Sequence, residues 1–380
     1  MNYDAKENLR EVHLSSLEGQ SNIYGSCLIP TISGPKAEKV LISTLQKEFR
    51  VYSSSQTDIS YQENIFSYLP QGSQVIAIDL FICETRAKII SGVAWTQATS
   101  ESISYFFNVY ESSLSFENHT CITSKEISWV PFQITHCKYD LEKNTNCFAL
   151  SGSDCKIHVF VLEDGAYVES QDPQVMRKFP EFALLDTIAI WTAFQYQDSH
   201  RVTAIAQENG VLLVCMVDLK TFEIKRKHSF SEEGPLTKVI FFENSTDLFL
   251  LASLAPSRIF YNVFDNSLDK SAVLPLSDEF DVPTTCALAD IDFDGHKEIL
   301  IGTFGEKMLV YKSHADCQWR LEWSKCFNNP IHGIFSLDIT NDGVKELLIV
   351  TTKTLIFLQH DHDKVKEVCK LRLNFNKQQI

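Results

Sequence analysis

Residues 290–298 read DIDFDGHKE. Asp290, Asp292 and Asp294 stand at alternate positions, Gly295 follows, and Glu298 ends the run. Alternate side chains of such a loop can converge on one point, glycine permits the sharp reversal, and carboxylate oxygens are the hard donors that calcium prefers. The chemistry offered is calcium coordination by Asp290, Asp292, Asp294 and Glu298, with a backbone carbonyl near His296. The same residues have a purely conformational use. Asp accepts hydrogen bonds from amides two residues on, and Asp-Gly suits a tight reversal between strands. A second loop repeats Asp338, Asp342 and Glu346 but has Thr340 at the second position, which makes it the weaker ion binder. The turn reading is preferred for both loops, because a calcium-loaded repeat protein carries several full loops in succession.

Other candidate groups are weaker. His360-Asp361-His362-Asp363 offers transition-metal donors, but it follows an apolar strand where a polar turn is expected. There is no G-x-S-x-G, H-E-x-x-H or Walker loop, so nothing asks for catalysis. Phe179-Pro180-Glu181-Phe182 and Asp278-Glu279-Phe280-Asp281 place aromatic rings beside carboxylates. Exposed, such rings anchor protein partners; packed between structural units, they are core, which is the preferred reading.

The elements that carry these loops repeat. Asp338 follows Asp290 by 48 residues, and both loops lead into an apolar strand, a short turn and a second apolar strand. The same strand-turn-strand unit, without the acidic loop, starts near 40, 89, 147, 202 and 248, and with it near 298 and 346. Runs of β-branched and aromatic residues across turns such as Glu208-Asn209-Gly210 are hairpin chemistry. Seven units of about 50 residues, each with about four short strands, predict one all-β domain over 1–380, a seven-bladed β-propeller, in preference to two β-sandwiches. The longer second and third units predict the largest loops. Helical periodicity is scarce; the candidate helices are PQVMRK (173–178) and AKENLREV (5–12), each of which fits an irregular segment equally well. The ring must be closed by an outer strand of the last blade, either from the N-terminal segment before Asn22 or from VCKLRLNF (368–375). The alternation of Val368, Leu371, Leu373 and Phe375 favours the latter.

With 380 residues, 44% hydrophobic and a net charge of −15, the chain reads as globular and acidic. That charge argues against a nucleic-acid partner, since phosphate binding draws on Lys and Arg. The densest basic run, Lys225-Arg226-Lys227-His228, is expected on a solvated strand edge. Eleven scattered cysteines without C-x-x-C spacing read as reduced thiols. The charged start and the lack of a long apolar stretch predict a cytoplasmic chain with neither signal peptide nor membrane span. The sequons at Asn118 and Asn244 are then chance matches.

The paired acidic loops resemble FG-GAP repeats of integrin-α-like propellers. QSNIYG (20–25), WVPFQITHC (129–137), FALSGSDCKIHVF (148–160), KFPEF (178–182), EEGPLTKVIFF (232–242), LPLSDEFD (274–281) and ADIDFDGHKEIL (289–300), in that order, resemble the kaptin family. The resemblance implies a non-enzymatic propeller that needs no cofactor. It further implies a subunit of KICSTOR at the lysosomal surface, beside a second FG-GAP propeller and a large scaffold subunit. There it would help recruit the GATOR inhibitor of Rag GTPases and restrain TOR complex 1 signalling under nutrient deprivation. A second implied role is association with filamentous actin in lamellipodia and stereocilia. An acidic chain meets acidic actin only through a local basic surface, so the complex-subunit role ranks first. A calcium-dependent binding propeller is the third expectation.

Overall fold

The computed structural model describes residues 4–30, 38–55, 58–63, 66, 69–140, 143–234, 236–244, 247–263, 268–314 and 318–377. Seven four-stranded antiparallel sheets form a β-propeller. Blade 1 spans 26–63, blade 2 73–127, blade 3 131–169, blade 4 189–231, blade 5 238–273 and blade 6 283–326. Blade 7 takes Ile331–Leu337, Glu346–Thr351 and Thr354–His360 from one end of the chain and Leu9–Ser16 from the other.

The hairpins legible in the sequence are the second and third strands of these sheets. Glu298–Thr303 and Glu346–Thr351 are buried at every position, because a strand in mid-blade is covered by the neighbouring blade on both faces. Outer strands alternate instead, as Ile224–Ser231 and Trp319–Cys326 do, and their polar positions meet solvent. The core is correspondingly divided into seven apolar clusters, one per blade interface. The cluster between blades 6 and 7 is the one that carries the acidic loop. It joins Ile291, Leu300, Met308, Ile334 and Leu347 to Ala5 and Leu9 from the N-terminal segment and Val365 and Val368 from the C-terminal one.

Ring closure differs from the expectation. Residues 368–375 form no strand; they belong to the helix His362–Lys377. The outer strand of blade 7 is Leu9–Ser16, antiparallel to Thr354–His360 from Leu9↔His360 to Ser16↔Thr354. The free edge of Thr354–His360 accepts one neighbour, and the N-terminal segment holds it with contacts on two blades. Ser15 Oγ pairs with Tyr52 Oη of blade 1 at 2.8 Å, and Arg50 donates to the Ser16 carbonyl at 2.6 Å. Asp361 starts the helix by accepting from the Asp363 and Lys364 amides, a side-chain cap that satisfies first-turn donors. Val365 and Val368 then face the same way at helical spacing.

Of the two candidate helices, the N-terminal stretch is helical only over Ala5–Asn8, and the other is helical over Pro173–Arg177. The long second unit does not spend its residues on loops, since Ser73–Cys83 and Lys88–Ala98 are eleven-residue strands. All described cysteines are free thiols.

Candidate functional site

The loop 290–297 joins the first two strands of blade 6, Pro283–Ala289 and Glu298–Thr303. Its carboxylates hold its own backbone. The Asp294 and Gly295 amides donate to Asp290 Oδ1 and Oδ2 at 3.0 and 2.9 Å, and the His296 amide donates to Asp294 Oδ1 at 2.8 Å. The Ile291 amide donates to Glu298 Oε2 at 2.9 Å. Phe293 and Gly295 lie at φ +58° and +90°, a path that requires glycine at the second position. The 338–346 loop of blade 7 repeats this scheme. Asp338 accepts from the Asp342 and Gly343 amides, Asp342 from Val344 and Glu346 from Ile339, with Asn341 and Gly343 at φ +58° and +87°. Asp292 Oδ1 in the first loop also accepts from the Asp294 amide at 3.1 Å, so four acidic positions of the first loop and three of the second are turn formers.

One ligand atom each of Asp290, Asp292 and Asp294 lies within 4.8 Å of the others, the only such cluster among the described residues. The cluster already contains a cation. Lys312, in the third strand Lys307–Ser313, directs its ammonium to Asp292 Oδ2 and Asp294 Oδ2, with Glu298 Oε1 3.5 Å away. Burial pulls the Lys312 ammonium down, but Asp292 and Asp294 outweigh it and hold it well above the usual lysine range. Burial pushes the Asp290 carboxyl up and the Glu298 carboxyl up to about 7, while Lys312 overcomes burial at Asp294 and holds it low. Calcium takes six to eight oxygens. Here both Asp290 oxygens serve amides, and the inward oxygens of Asp292, Asp294 and Glu298 face Lys312. As arranged, the donor set does not fit a resident divalent ion. The loop opens on a cleft of 640 Å³ bounded by Lys312, His314, Trp323 and the N-terminal Asp4–Lys6.

The His360–Asp363 run does not converge. His360 is buried with its ring edge-on to Phe293 at 4.7 Å, Asp361 caps the helix, His362 turns to Asp342 at 3.4 Å and Asp363 is exposed. KFPEF is core rather than surface. Phe179 and Phe182 stack at 5.1 Å between blades 3 and 4. Between them Glu181 (0% exposed) accepts from Arg201 (1%) at 2.8 Å and from Thr203 Oγ1 at 2.7 Å. Sequence reasoning missed this ion pair; the available signals were a carboxylate between two phenylalanines and an arginine heading an apolar strand. Phe280 is half-buried beneath Lys307. Lys225–His228 lies on the outer edge of blade 4.

Against this geometry, the sequence model of one family, KICSTOR complex protein kaptin, matches residues 9–370. The chain belongs to the kaptin family. Mouse kaptin is 27% identical over 408 residues, covering 98% of this chain and 92% of the mouse protein. Among solved structures, BBS1N in complex with ARL6DN superposes with TM-score 0.59 at 11% identity, covering 93% of this chain and 97% of that one. The Myceliophteria thermophila Cps50 (Swd1) propeller gives 0.58 at 10%, covering 93% and 100%. At such identity these two show the fold alone. In this kaptin-family chain no helix among the described residues is long and apolar enough to cross a membrane.

The contact between the two acidic-loop blades predicts a pH response. Burial pulls the His360 imidazole down to about 4, with His362 acting the same way. The unfolded state therefore takes up the proton first. The contribution of His360 is full above the ordinary value near 6.5 and is lost as pH falls from there toward 4. Acidification from pH 7 to 5 is expected to cost the wild type about 2 kcal/mol more than His360→Asn, read from denaturant midpoints. Parallel pH profiles for the two proteins would refute this.

Proposed function

We propose that this chain is a non-catalytic interaction subunit of a KICSTOR assembly. It presents blade edges and loops to a second propeller and a large scaffold subunit, and through them helps recruit the GATOR inhibitor of Rag GTPases at the lysosomal surface. Its effect is to restrain TOR complex 1 signalling when nutrients are scarce. The observation that carries this reading is the kaptin family match over residues 9–370. It is supported by a fold whose many exposed loops and edges suit extended protein interfaces, and by acidic groups used as turn formers rather than arranged around a reaction centre.

The test is affinity purification of the tagged full chain from cells, with mass analysis of the intact assembly. A stoichiometric second propeller and a large scaffold subunit, retained in chelator, are expected. Recovery of filamentous actin with neither of those partners would overturn the reading in favour of the cytoskeletal role. Release of partners on chelation would overturn the metal-independent form of it.

A further inference from the structure

We propose that the Lys312 ammonium is the resident cation of the 290–298 loop, so that this turn is a metal site closed by its own side chain. Asp290, Asp292, Asp294 and Glu298 put four carboxylates into one turn. Like charges this close destabilise a fold unless a cation lies among them. Glu298 is 2% exposed, and its Oε1 has no hydrogen-bond partner; the ammonium 3.5 Å away is the charge it faces. A buried carboxylate oxygen in that state stays ionised only beside a cation. Lys312 supplies it from within the chain.

The sister loop is an internal control. Ile299 pairs with Tyr311 and Leu347 with Leu358, so one register step further Lys312 faces Glu298 and Gln359 faces Glu346. In blade 7 the second carboxylate is replaced by Thr340 and the amine by Gln359. Glu346 Oε1 accepts from Thr340 Oγ1 at 2.7 Å and from Gln359 Nε2 at 3.2 Å. One negative and one positive group are exchanged together for two neutral donors, while the positive-φ turn and the amide bonds to the first, third and fourth acidic positions stay the same. The amine thus accompanies the extra carboxylate, as a counter-ion must. A calcium ion in the same turn would have to expel it.

Removing the amine while keeping most of the stem, as in Lys312→Met, should expose a latent oxygen site for a hard cation. The full-length wild type, Lys312→Met and Asp292→Thr/Lys312→Gln are titrated with calcium by calorimetry and with terbium by luminescence excited through tryptophan, Trp323 lining the cleft. Melting is followed in chelator and in calcium. The wild type is expected to show no saturable site and no calcium shift. Lys312→Met should melt lower in chelator, gain one saturable site absent from the wild type and recover with calcium, as expected when hard oxygen ligands are freed. The double variant, carrying blade 7 chemistry, should melt like the wild type and bind neither ion. Tight calcium binding by the wild type, or a Lys312→Met protein as stable as wild type in chelator and without a new site, would overturn the proposal. If Lys312→Met does not fold, the double variant decides: wild-type melting supports the proposal and failure to fold overturns it.

Discussion

Glu181→Ala is expected to lower the stability of the propeller by about 3–5 kcal/mol, because it leaves a buried guanidinium without its counter-ion. Arg201 donates to Glu181 through Nε at 3.1 Å and through the second guanidinium nitrogen at 2.8 Å, and lies 4.6 Å over the Phe179 ring. Burial pulls that guanidinium down, and Glu181 more than offsets it. The variant also strands the Thr203 hydroxyl, which donates to the same carboxylate. Removing both charges should be far milder. Glu181→Leu/Arg201→Met leaves apolar groups in a pocket already lined by Phe179, Phe182 and Cys137, and replacement of a buried ion pair by packed apolar groups is often neutral. Denaturant unfolding of the two single variants and the double variant gives the coupling directly. Additive losses would show that Glu181 and Arg201 do not act as a coupled pair.

The second large effect is expected at the ring seam. Deleting residues 1–17 should cost on the order of 5 kcal/mol, comparable with the whole stability of many domains. It removes the outer strand of blade 7, the buried Leu9 and Leu17, the hydroxyl partner of Tyr52 and the carbonyl acceptor of Arg50 in blade 1. It also bares the backbone edge of Thr354–His360, a template for intermolecular pairing, so concentration-dependent aggregation should accompany the loss. Truncation after Lys370 is the control, since Val365 and Val368 remain in the blade 6–7 cluster. It should leave the melting temperature within about 4 °C, the shift that roughly 1–2 kcal/mol produces in a chain of this size. Equal damage from the two truncations, by calorimetry and light scattering, would refute the N-terminal closure as the strap of the ring.

Much of this architecture is legible in the chain, and the reasons are local. Strands such as EILIGT and ELLIVT are buried at every position because both faces are covered, and their unbroken apolar middles stand out without any knowledge of their neighbours. Asp-Gly pairs mark turns for the same reason: Gly295 and Gly343 adopt positive φ, and the carboxylates before them bond to amides a few residues away. The closing strand was not legible, because LREVHLSS and VCKLRLNF each carry enough apolar residues to pass for an edge strand, and which of them pairs depends on a free edge more than 300 residues from Leu9. The Asp361 cap and the Val365–Val368 spacing marked the helix, but only beside an occupied edge do they decide.

The sequence by itself determined seven repeated β units, their turn chemistry and two acidic loops, since hydrophobic period and turn residues act within a few positions. Tertiary structure alone decided what the acidic residues face. Whether Asp292, Asp294 and Glu298 await an ion or already hold one depends on Lys312, delivered by the hairpin register from the next strand but one. Electrostatic partners are chosen by distance in space, and a spacing pattern along the chain does not carry it.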